Sequence, residues 1–452
     1  MRYHLIAMGG AVMHNLALAL HDLGETVSGS DDEIFDPAKS RLQQAGILPE
    51  SFGWFPDKIT SDLDLIILGM HAKADNPELK RALELGLKVV SFPEFLFEKT
   101  QEKTRVVIGG SHGKTTITSM IMHVLRFAGV DFDYMVGAQV EGFDRMVRFS
   151  NEASVAIFEG DEYLSSALDP RPKFHWYRPH VAVLSGVAWD HINVFPRFEQ
   201  YVDQFRIFSD LIEPNGRLIY FEGDEHLRAI GKGLRDDLTG IPYQAHPSST
   251  SNGVSYLLQG EQAYPLQVFG EHNLQNIQAA HHVIRSLDIP DAVFYEAMTH
   301  FKGAAKRMQL LGSNEHSAVY LDFAHSPSKL KATVKALREQ FPERKLIACM
   351  ELHTYSSLNR EFLSEYKGSM EPAQEALVFF DRSVLALKRL PDISKEEVKE
   401  AFASEVSVMN DAAEIRAFLE SLQLDNTNLL LMSSGNFSGI RFDELAQHLL
   451  NR

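Results

Sequence analysis

The stretch Val106-Val107-Ile108-Gly109-Gly110-Ser111-His112-Gly113-Lys114-Thr115-Thr116, followed by a helical pattern over residues 117–127, decides the fold. An apolar run that stops at glycines and resumes as a helix is a strand, a tight turn and a helix N-terminus. Backbone N–H groups in such a turn surround phosphates, Lys114 reaches the outer phosphates, and the Thr115 hydroxyl suits Mg²⁺. The common spacing G-x-x-x-x-G-K-[ST] would need glycine at position 108, which is isoleucine; the chain carries the shorter G-x-x-G-K-T form, Gly110 to Thr115. ATP contacts are therefore expected from Gly110, Ser111, His112, Gly113, Lys114, Thr115 and Thr116. A glycine turn with a lysine by chance would require neither the strand before it nor the threonines after it.

Working outward, a nucleotide-bound Mg²⁺ calls for a carboxylate at the end of a neighbouring strand. Val155-Ala156-Ile157-Phe158-Glu159-Gly160-Asp161-Glu162 is an apolar run closing on acids, at the strand edge where open α/β sheets bind ligands. The next apolar run, 181–187, leads to Ala188-Trp189-Asp190-His191. Thr115, Glu159 and His191 are the expected metal ligands. Asn273, in Gly270-Glu271-His272-Asn273, opens a helix as its N-cap, as a nucleotide contact, or as both. Arg307 falls at an expected domain junction, and Asp322 and His325 close a later strand, with Pro327 starting the following helix.

The same alternation extends along the chain. Strands are expected at 3–8, 26–30 and 63–69, then at 105–109, 155–159, 181–187 and 217–221. A β-rich stretch at 254–258 and 263–269 precedes a helix over 273–286, and further strands fall at 318–323, 345–350, 376–380 and 428–432. Residues 98–105 read as a linker. Strands alternating with helices imply parallel, doubly wound sheets. The expected architecture is α/β in three domains: a Rossmann-like domain over 1–104, a central P-loop ATPase-like domain with a mainly parallel sheet over 105–307, and a C-terminal Rossmann-like domain over 308–452. In the first, Ala7-Met8-Gly9-Gly10-Ala11-Val12-Met13 fills a strand–helix turn, with Ser30-Asp31 closing the second strand. This is a degenerate dinucleotide fingerprint, with Ala7 and Val12 at glycine positions, and it fits another diphosphate as well as NAD.

Composition bounds the partners. The chain has 452 residues, 44% hydrophobic and 23% charged, an ordinary globular mix. Its net charge of −17 argues against nucleic-acid or anionic-membrane binding and makes local cations necessary for any anionic ligand. One cysteine, Cys349, excludes an intrachain disulfide and a cysteine metal cage. No apolar run approaches the ~20 residues of a membrane span, so a cytoplasmic protein is expected, as a monomer or weak dimer.

Taken together, these segments resemble the Mur ligase family, the ATP-dependent amide-forming enzymes of peptidoglycan synthesis, over essentially the whole chain. The phosphate loop is similar to the family's G-T-H-G-K-T-T, with Ser111 for threonine. Two muramate-specific branches are nearest: one adds L-alanine to UDP-N-acetylmuramate, and the other, the murein peptide ligases, adds the tripeptide L-Ala-γ-D-Glu-meso-diaminopimelate. Glu159-Gly160-Asp161-Glu162-Tyr163 and Asp169-Pro170-Arg171-Pro172-Lys173-Phe174 resemble the peptide branch's E-A-D-E-Y-D and D-x-R-x-K-F, as do Gly270–Asn273, Asp322–His325 and Met432–Ile440 its G-E-H-N, D-F-A-H and M-S-N-G-G-F-G-G-I.

The resemblance implies ATP and Mg²⁺ as cofactors. Lys114 would hold the outer phosphates, and Thr115, Glu159 and His191 the metal. Asn273, Arg307 and Asp322 would contact ATP, and His325 would approach the reaction centre. Gly9, Gly10, Met13, Ser30, Asp31 and His71 would bind the UDP-sugar. The loops 351–360 and 433–438 are rich in donors, and His353, Tyr355, Ser434 and Gly435 are the expected acceptor contacts.

The chain departs from the pattern at Ala7, at Leu321 in place of an acid, at Ser326 in place of a second histidine, and at Glu351-Leu352-His353-Thr354-Tyr355 where the peptide branch has E-P-R-S-N. Arg206 stands where several relatives carry a carbamoylated, metal-binding lysine. The expected activity is ligation to the tripeptide in peptidoglycan recycling, with the L-alanine ligase as alternative. A nicotinamide oxidoreductase leaves the phosphate loop idle, and a non-enzymatic ATP switch has no use for an acid–histidine pair behind it.

Overall fold

Strands that are apolar at every position bury both faces, and the C-terminal sheet shows how. Ala318 and Tyr320 point into one apolar cluster with Ala348 and Met350, while Val319 and Leu321 join Ile347 and Cys349 in another. The two-residue period of the strand delivers neighbours to opposite sides, and helices cover both. Leu321 is thereby a core residue, and Cys349 is an inert buried thiol whose pKa burial pushes up to about 12.

In the computed structural model, which describes residues 1–189, 194–251, 253–304, 306–403 and 405–451, the chain forms two compact units. The first comprises Met1–Val187, Arg197–Gln244 and Gln278–Ala297 and holds two sheets. One is four-stranded and parallel, in the order Thr26–Ser30, Arg2–Ile6, Leu65–Leu68, Val89–Ser91. The other is seven-stranded, in the order Thr239–Tyr243, Arg217–Phe221, Val181–Leu184, Thr104–Gly109, Val155–Glu159, Phe132–Met135, Val147–Arg148, with only the last strand antiparallel.

The second unit comprises Ala188–Pro196, Ala245–Ile277 and Met298–Arg452. It has a three-stranded antiparallel sheet, Ser248–Ser251, Val254–Gln259, Gln262–Leu266, and a six-stranded sheet. The latter runs Gln309–Ser313, Ala318–Asp322, Thr427–Met432, Lys345–Leu352, Glu375–Phe380, Val406–Met409, antiparallel only at its first strand. The mixed α/β class with mostly parallel sheets is as expected. Among the described residues no helix is long and apolar enough to cross a membrane.

Two expectations need correction. Residues 98–105 are not all linker: Glu98 and Lys99 end the helix Phe92–Lys99, which Ser91 and Glu94 start with a reciprocal capping box, and Thr104 begins the next strand. The third expected domain opens with an antiparallel edge strand, Gln309–Ser313, whose one apolar pair, Leu310–Leu311, is too short a run to reveal it.

Beneath the first sheet lies a fully buried pair, His4 Nε2 and Glu78 Oε2, 3.2 Å apart. Glu78 Oε1 also accepts the Phe55 amide at 2.7 Å, and His4 Nδ1 lies 2.9 Å from Ser28 Oγ. Burial opposes the Glu78 charge, but the hydrogen bonds of His4 and Phe55 overcome it and hold the carboxyl below its ordinary range. Glu78→Ala strands His4 and the Phe55 amide, and a loss of about 3–5 kcal/mol is expected in denaturant titrations at neutral pH. A carboxyl with a depressed folded pKa stabilises fully above its unfolded pKa and loses that contribution as pH falls through the folded one. The gap between wild type and variant should therefore narrow in acid below the ordinary carboxylate range.

Candidate active site

The register of the central sheet assembles the phosphate site. Ile108 pairs with Glu159 and Gly109 with Leu184, so the chain leaves three adjacent strands at one carboxyl edge. The turn is tight enough to demand glycine. At Gly110, φ is +124° and an added Cβ would lie 2.3 Å from Ser185 Oγ. Gly113, at φ +78°, is the residue before the helix Lys114–Phe127. Ser111 N donates to Gly186 O at 2.9 Å, and the His112 ring lies so close to Gly186 that a Cβ there would clash. Ser185 Oγ donates to the carbonyls of Gly109 and His112.

Lys114 Nζ donates to Gly110 O at 2.7 Å and to Glu162 Oε2 at 2.7 Å. Burial disfavours its charge, but Glu162, Asp161 and Glu159 outweigh that and hold the ammonium above the ordinary lysine range. Thr115 Oγ1 donates to Glu159 Oε1 at 2.8 Å, and Gly137 N donates to Oε2 at 2.9 Å. Thr116 is buried in the first helical turn. Thr115 and Glu159 thus stand together as the sequence predicts, whereas His191 lies outside the described residues. Among those residues no group of three or more His, Cys, Asp or Glu side chains is arranged to hold a metal. One carboxylate and one hydroxyl nevertheless suit Mg²⁺, which is commonly bound by one or two carboxylates together with phosphates and water.

Sequence reasoning missed Tyr201, whose hydroxyl donates to Glu162 Oε1 at 2.8 Å and lies 2.9 Å from Ser111 Oγ. It stands in the helix Phe198–Asp210 in no recognisable motif; only its place on the buried stripe with Phe205 and Phe208 could have flagged it. On the same helix Arg206 is exposed and paired with Asp203 at 2.6 Å. The two acidic segments also prove to be one structure. Lys173 pairs with Asp161 at 2.6 Å, and Asp169 takes both Arg171, as a fork, and the Trp176 indole N–H at 2.7 Å.

At the edge of the N-terminal sheet, Gly10 precedes the helix Ala11–Asp22, and Met13 is buried within that helix. Ala7 adopts φ +64°, the left-handed conformation that glycine takes without penalty, so the replaced glycine position keeps a glycine backbone. Asp31 accepts the Gly9 amide at 2.7 Å and that of Asp32 at 2.9 Å. Burial, with Asp32 alongside, pushes its carboxyl up to about 6. Buried Ser30 accepts from Lys58 Nζ at 3.3 Å, a cation the sequence did not single out, and His71 is exposed beyond the strand Leu65–Leu68.

In the second unit, Asn273 lies inside the helix Glu271–Ser286 rather than at its N-cap, and its amide donates to Phe269 O at 2.8 Å. Asp322 accepts the amides of Met308 at 2.6 Å and Ala324 at 2.7 Å; burial pushes its carboxyl up against the pull of Arg307. The Arg307 guanidinium stacks 4.9 Å from the Phe323 ring centre, and His325 Nδ1 lies 2.8 Å from Phe323 O. Ser326 precedes the helix Pro327–Gln340 without a side-chain cap bond.

Further along that sheet edge, Met350 pairs with Met432 and Leu352 with Phe380, which places the loops after three strands side by side. Buried Glu351 accepts from Ser433 Oγ and, at 2.9 Å, from Phe437 N. His353 and Gly435 are in contact: a Cβ on Gly435 would lie 2.9 Å from His353 Nδ1. Among the described residues His353 Nδ1 and Ser434 Oγ are buried without hydrogen-bond partners, His353 Nδ1 lying 3.7 Å from Glu351 Oε1. Tyr355 stands apart, half-exposed, with Lys388 Nζ 4.3 Å from its ring centre.

Three family models cover this arrangement: the Mur ligase family catalytic domain over residues 2–104, the Mur ligase middle domain over 108–284 and the Mur ligase glutamate ligase domain over 306–435. The UDP-N-acetylmuramate–L-alanine ligase of Lactobacillus delbrueckii subsp. bulgaricus is 30% identical across 82% of this chain and 83% of its own length. The chain belongs to the Mur ligase family. Mur ligases are ATP-dependent amide-bond ligases of peptidoglycan synthesis. The Escherichia coli K12 UDP-N-acetylmuramate–L-alanyl-γ-D-glutamyl-meso-2,6-diaminoheptandioate ligase is 27% identical across 97% of this chain and 96% of its own. The crystal structure of the UDP-N-acetylmuramate–alanine ligase of Thermotoga maritima shares the fold, with a TM-score of 0.71 at 20% identity, over 100% of this chain and 98% of that one.

Arg206 yields a prediction within this family. Its guanidinium is poorly suited to carbamoylation and faces solvent. Activity is expected to be the same with and without bicarbonate after CO₂ depletion, and Arg206→Lys should gain no bicarbonate dependence. Stimulation of the wild-type protein by bicarbonate would contradict this.

Proposed function

We propose that the chain joins UDP-N-acetylmuramate to L-Ala-γ-D-Glu-meso-diaminopimelate in peptidoglycan recycling, with ATP and Mg²⁺. The choice of branch rests on the peptide-branch signatures and the donor-rich loops 351–360 and 433–438, and the observation beside them is the Lys173–Asp161 ion pair. It locks the two segments that resemble the peptide branch into one unit beside Lys114. Residues 1–104 take the UDP-sugar through the loop at Gly9 and Gly10. Residues 105–307 take ATP through residues 110–116, and 308–452 take the acceptor along the edge bearing His353, Tyr355, Ser434 and Gly435. Lys388 supports this assignment, bringing a cation to the loop where the branch has arginine.

A carboxylate and an amine do not condense in water without a leaving group. The γ-phosphoryl of ATP passes to the lactyl carboxylate of the muramate, giving an acyl phosphate and ADP. The amine attacks that carbon, and inorganic phosphate departs from the tetrahedral intermediate. Lys114 and the loop N–H groups hold the transferring phosphoryl group; by the family resemblance Arg307 would add positive charge and His325 would act at the reaction centre. Thr115, Glu159 and His191 would hold Mg²⁺, which when bound supplies charge neutralisation between the two anionic substrates.

L-alanine is the second reading, because the Lactobacillus relative bears that name. The two readings separate in one assay of phosphate release with UDP-N-acetylmuramate, ATP and each acceptor at equal concentration. The tripeptide is expected to give the higher kcat/KM; a clear advantage for free L-alanine would place the chain in the biosynthetic branch. Lys114→Ala should leave a folded protein with phosphate release reduced on the order of 10²-fold or more, because a charge contact in the transition state is lost. Near-normal turnover by that variant would remove the loop from the reaction.

A further inference from the structure

We propose that Tyr201 and Glu162 are positioning residues that fix both ends of the phosphate loop for the polyphosphate of ATP, an inference that rests on reading residues 110–116 as the ATP site. Four side chains form one line. Ser111 Oγ lies 2.9 Å from the Tyr201 hydroxyl, which donates to Glu162 Oε1 at 2.8 Å, and Glu162 Oε2 accepts from Lys114 Nζ at 2.7 Å. With the Tyr201 proton committed to Glu162, the Ser111 hydroxyl is the donor to Tyr201. Ser111 and Lys114 are thereby tied to each other from outside the loop, through a helix residue and a strand-end residue.

The consequence falls on Lys114. An ammonium has three N–H donors, and Glu162 and Gly110 O take two of them in fixed directions. The direction of the third is then set by tetrahedral geometry. A lysine side chain is among the costliest to order, and ordering it before a ligand arrives removes that cost from binding. Packing alone does not require this arrangement. The Tyr201 ring is fully buried and lies edge-on to Phe205 at 5.1 Å, a contact that phenylalanine would make equally well. The hydroxyl is the atom that links the helix to the loop.

The test measures ATP binding to the full-length protein by calorimetry in the presence of Mg²⁺, and KM for each substrate. Tyr201→Phe is expected to weaken ATP binding about tenfold, the scale of one or two lost hydrogen bonds, and to raise KM for ATP while leaving KM for UDP-N-acetylmuramate unchanged. Ser111→Ala should weaken ATP binding several-fold by itself. Combined with Tyr201→Phe it should add little, because both remove the same link. If Tyr201→Phe does not fold, the Ser111→Ala result decides. Unchanged ATP affinity in the folded variants, additive losses, or equal rises in KM for both substrates would overturn the positioning role. Failure of the wild-type protein to bind ATP would instead overturn the reading of the loop.

Discussion

A lysine ammonium enclosed at the edge of a sheet needs carboxylates, and much of the central domain's local structure answers that need. Lys114 is held by Glu162 and is within the influence of Asp161 and Glu159. Three acids in four residues would repel one another without further compensation. Lys173 supplies it by pairing with Asp161, and the segment that brings Lys173 is itself braced by the Asp169–Arg171 fork and the Trp176 N–H. The two motifs, separate in sequence, are therefore one electrostatic unit. Their charges sum close to neutral only with both lysines counted, so a triphosphate entering this edge brings a net anion to a site that is not cationic. On the proposed reading a divalent cation would make that encounter favourable, and the oxygen donor pair at Thr115 and Glu159 would matter more here than on a basic protein.

The central parallel strands were legible where they are largely apolar or follow conspicuous punctuation, as the polar Thr26–Ser30 follows the helix stop at Gly24; Val89–Ser91, Thr239–Tyr243 and Val406–Met409 were not. The strands Thr26–Ser30, Val155–Glu159 and Arg217–Phe221 coincide with the runs read from sequence. Strands with a different physical basis were not. Ser248–Ser251 is an edge strand of exposed hydroxyl side chains, and Gln309–Ser313 an edge strand with only the pair Leu310–Leu311 apolar; the ladder hydrogen bonds that hold them leave little compositional trace. Phe132–Met135 contains Asp133, a polar interruption that Lys103 and the Ser150 amide neutralise inside the fold.

The site was legible where a residue's type and its position are both diagnostic. Lys114, Thr115 and Glu159 meet because a glycine turn and a strand end are local features whose convergence follows from sheet register. Tyr201, Lys58 and Lys388 were not, because their relevance arises only from folding. Each lies in an unremarkable segment and reaches a functional loop through a contact distant in sequence. The Ala7 substitution shows a third case. Sequence treats it as a lost glycine, yet the backbone keeps the left-handed conformation, so the loop geometry survives and the cost is local strain.

The acidic balance of the chain acquires a structural meaning at the three sheet edges. In each parallel sheet the loop beyond the strands is closed by a carboxylate of the chain itself. Asp31 takes the Gly9 amide, Glu162 takes Lys114, and Glu351 takes Ser433 and the Phe437 amide; Asp322 does the same for Met308 and Ala324. Donors that converge on one point destabilise a loop unless something accepts from them. An internal carboxylate satisfies them and fixes their directions, so the loop is ordered before any substrate reaches it. The same carboxylate then competes with an anionic substrate for those donors. Affinity in such a protein depends less on the number of donors than on how readily each internal acid shares or yields them. Asp31, pushed up to about 6 by burial, is an acid whose charge the fold makes easier to neutralise. At that edge the competition weakens as pH falls towards the range in which the carboxyl takes up a proton.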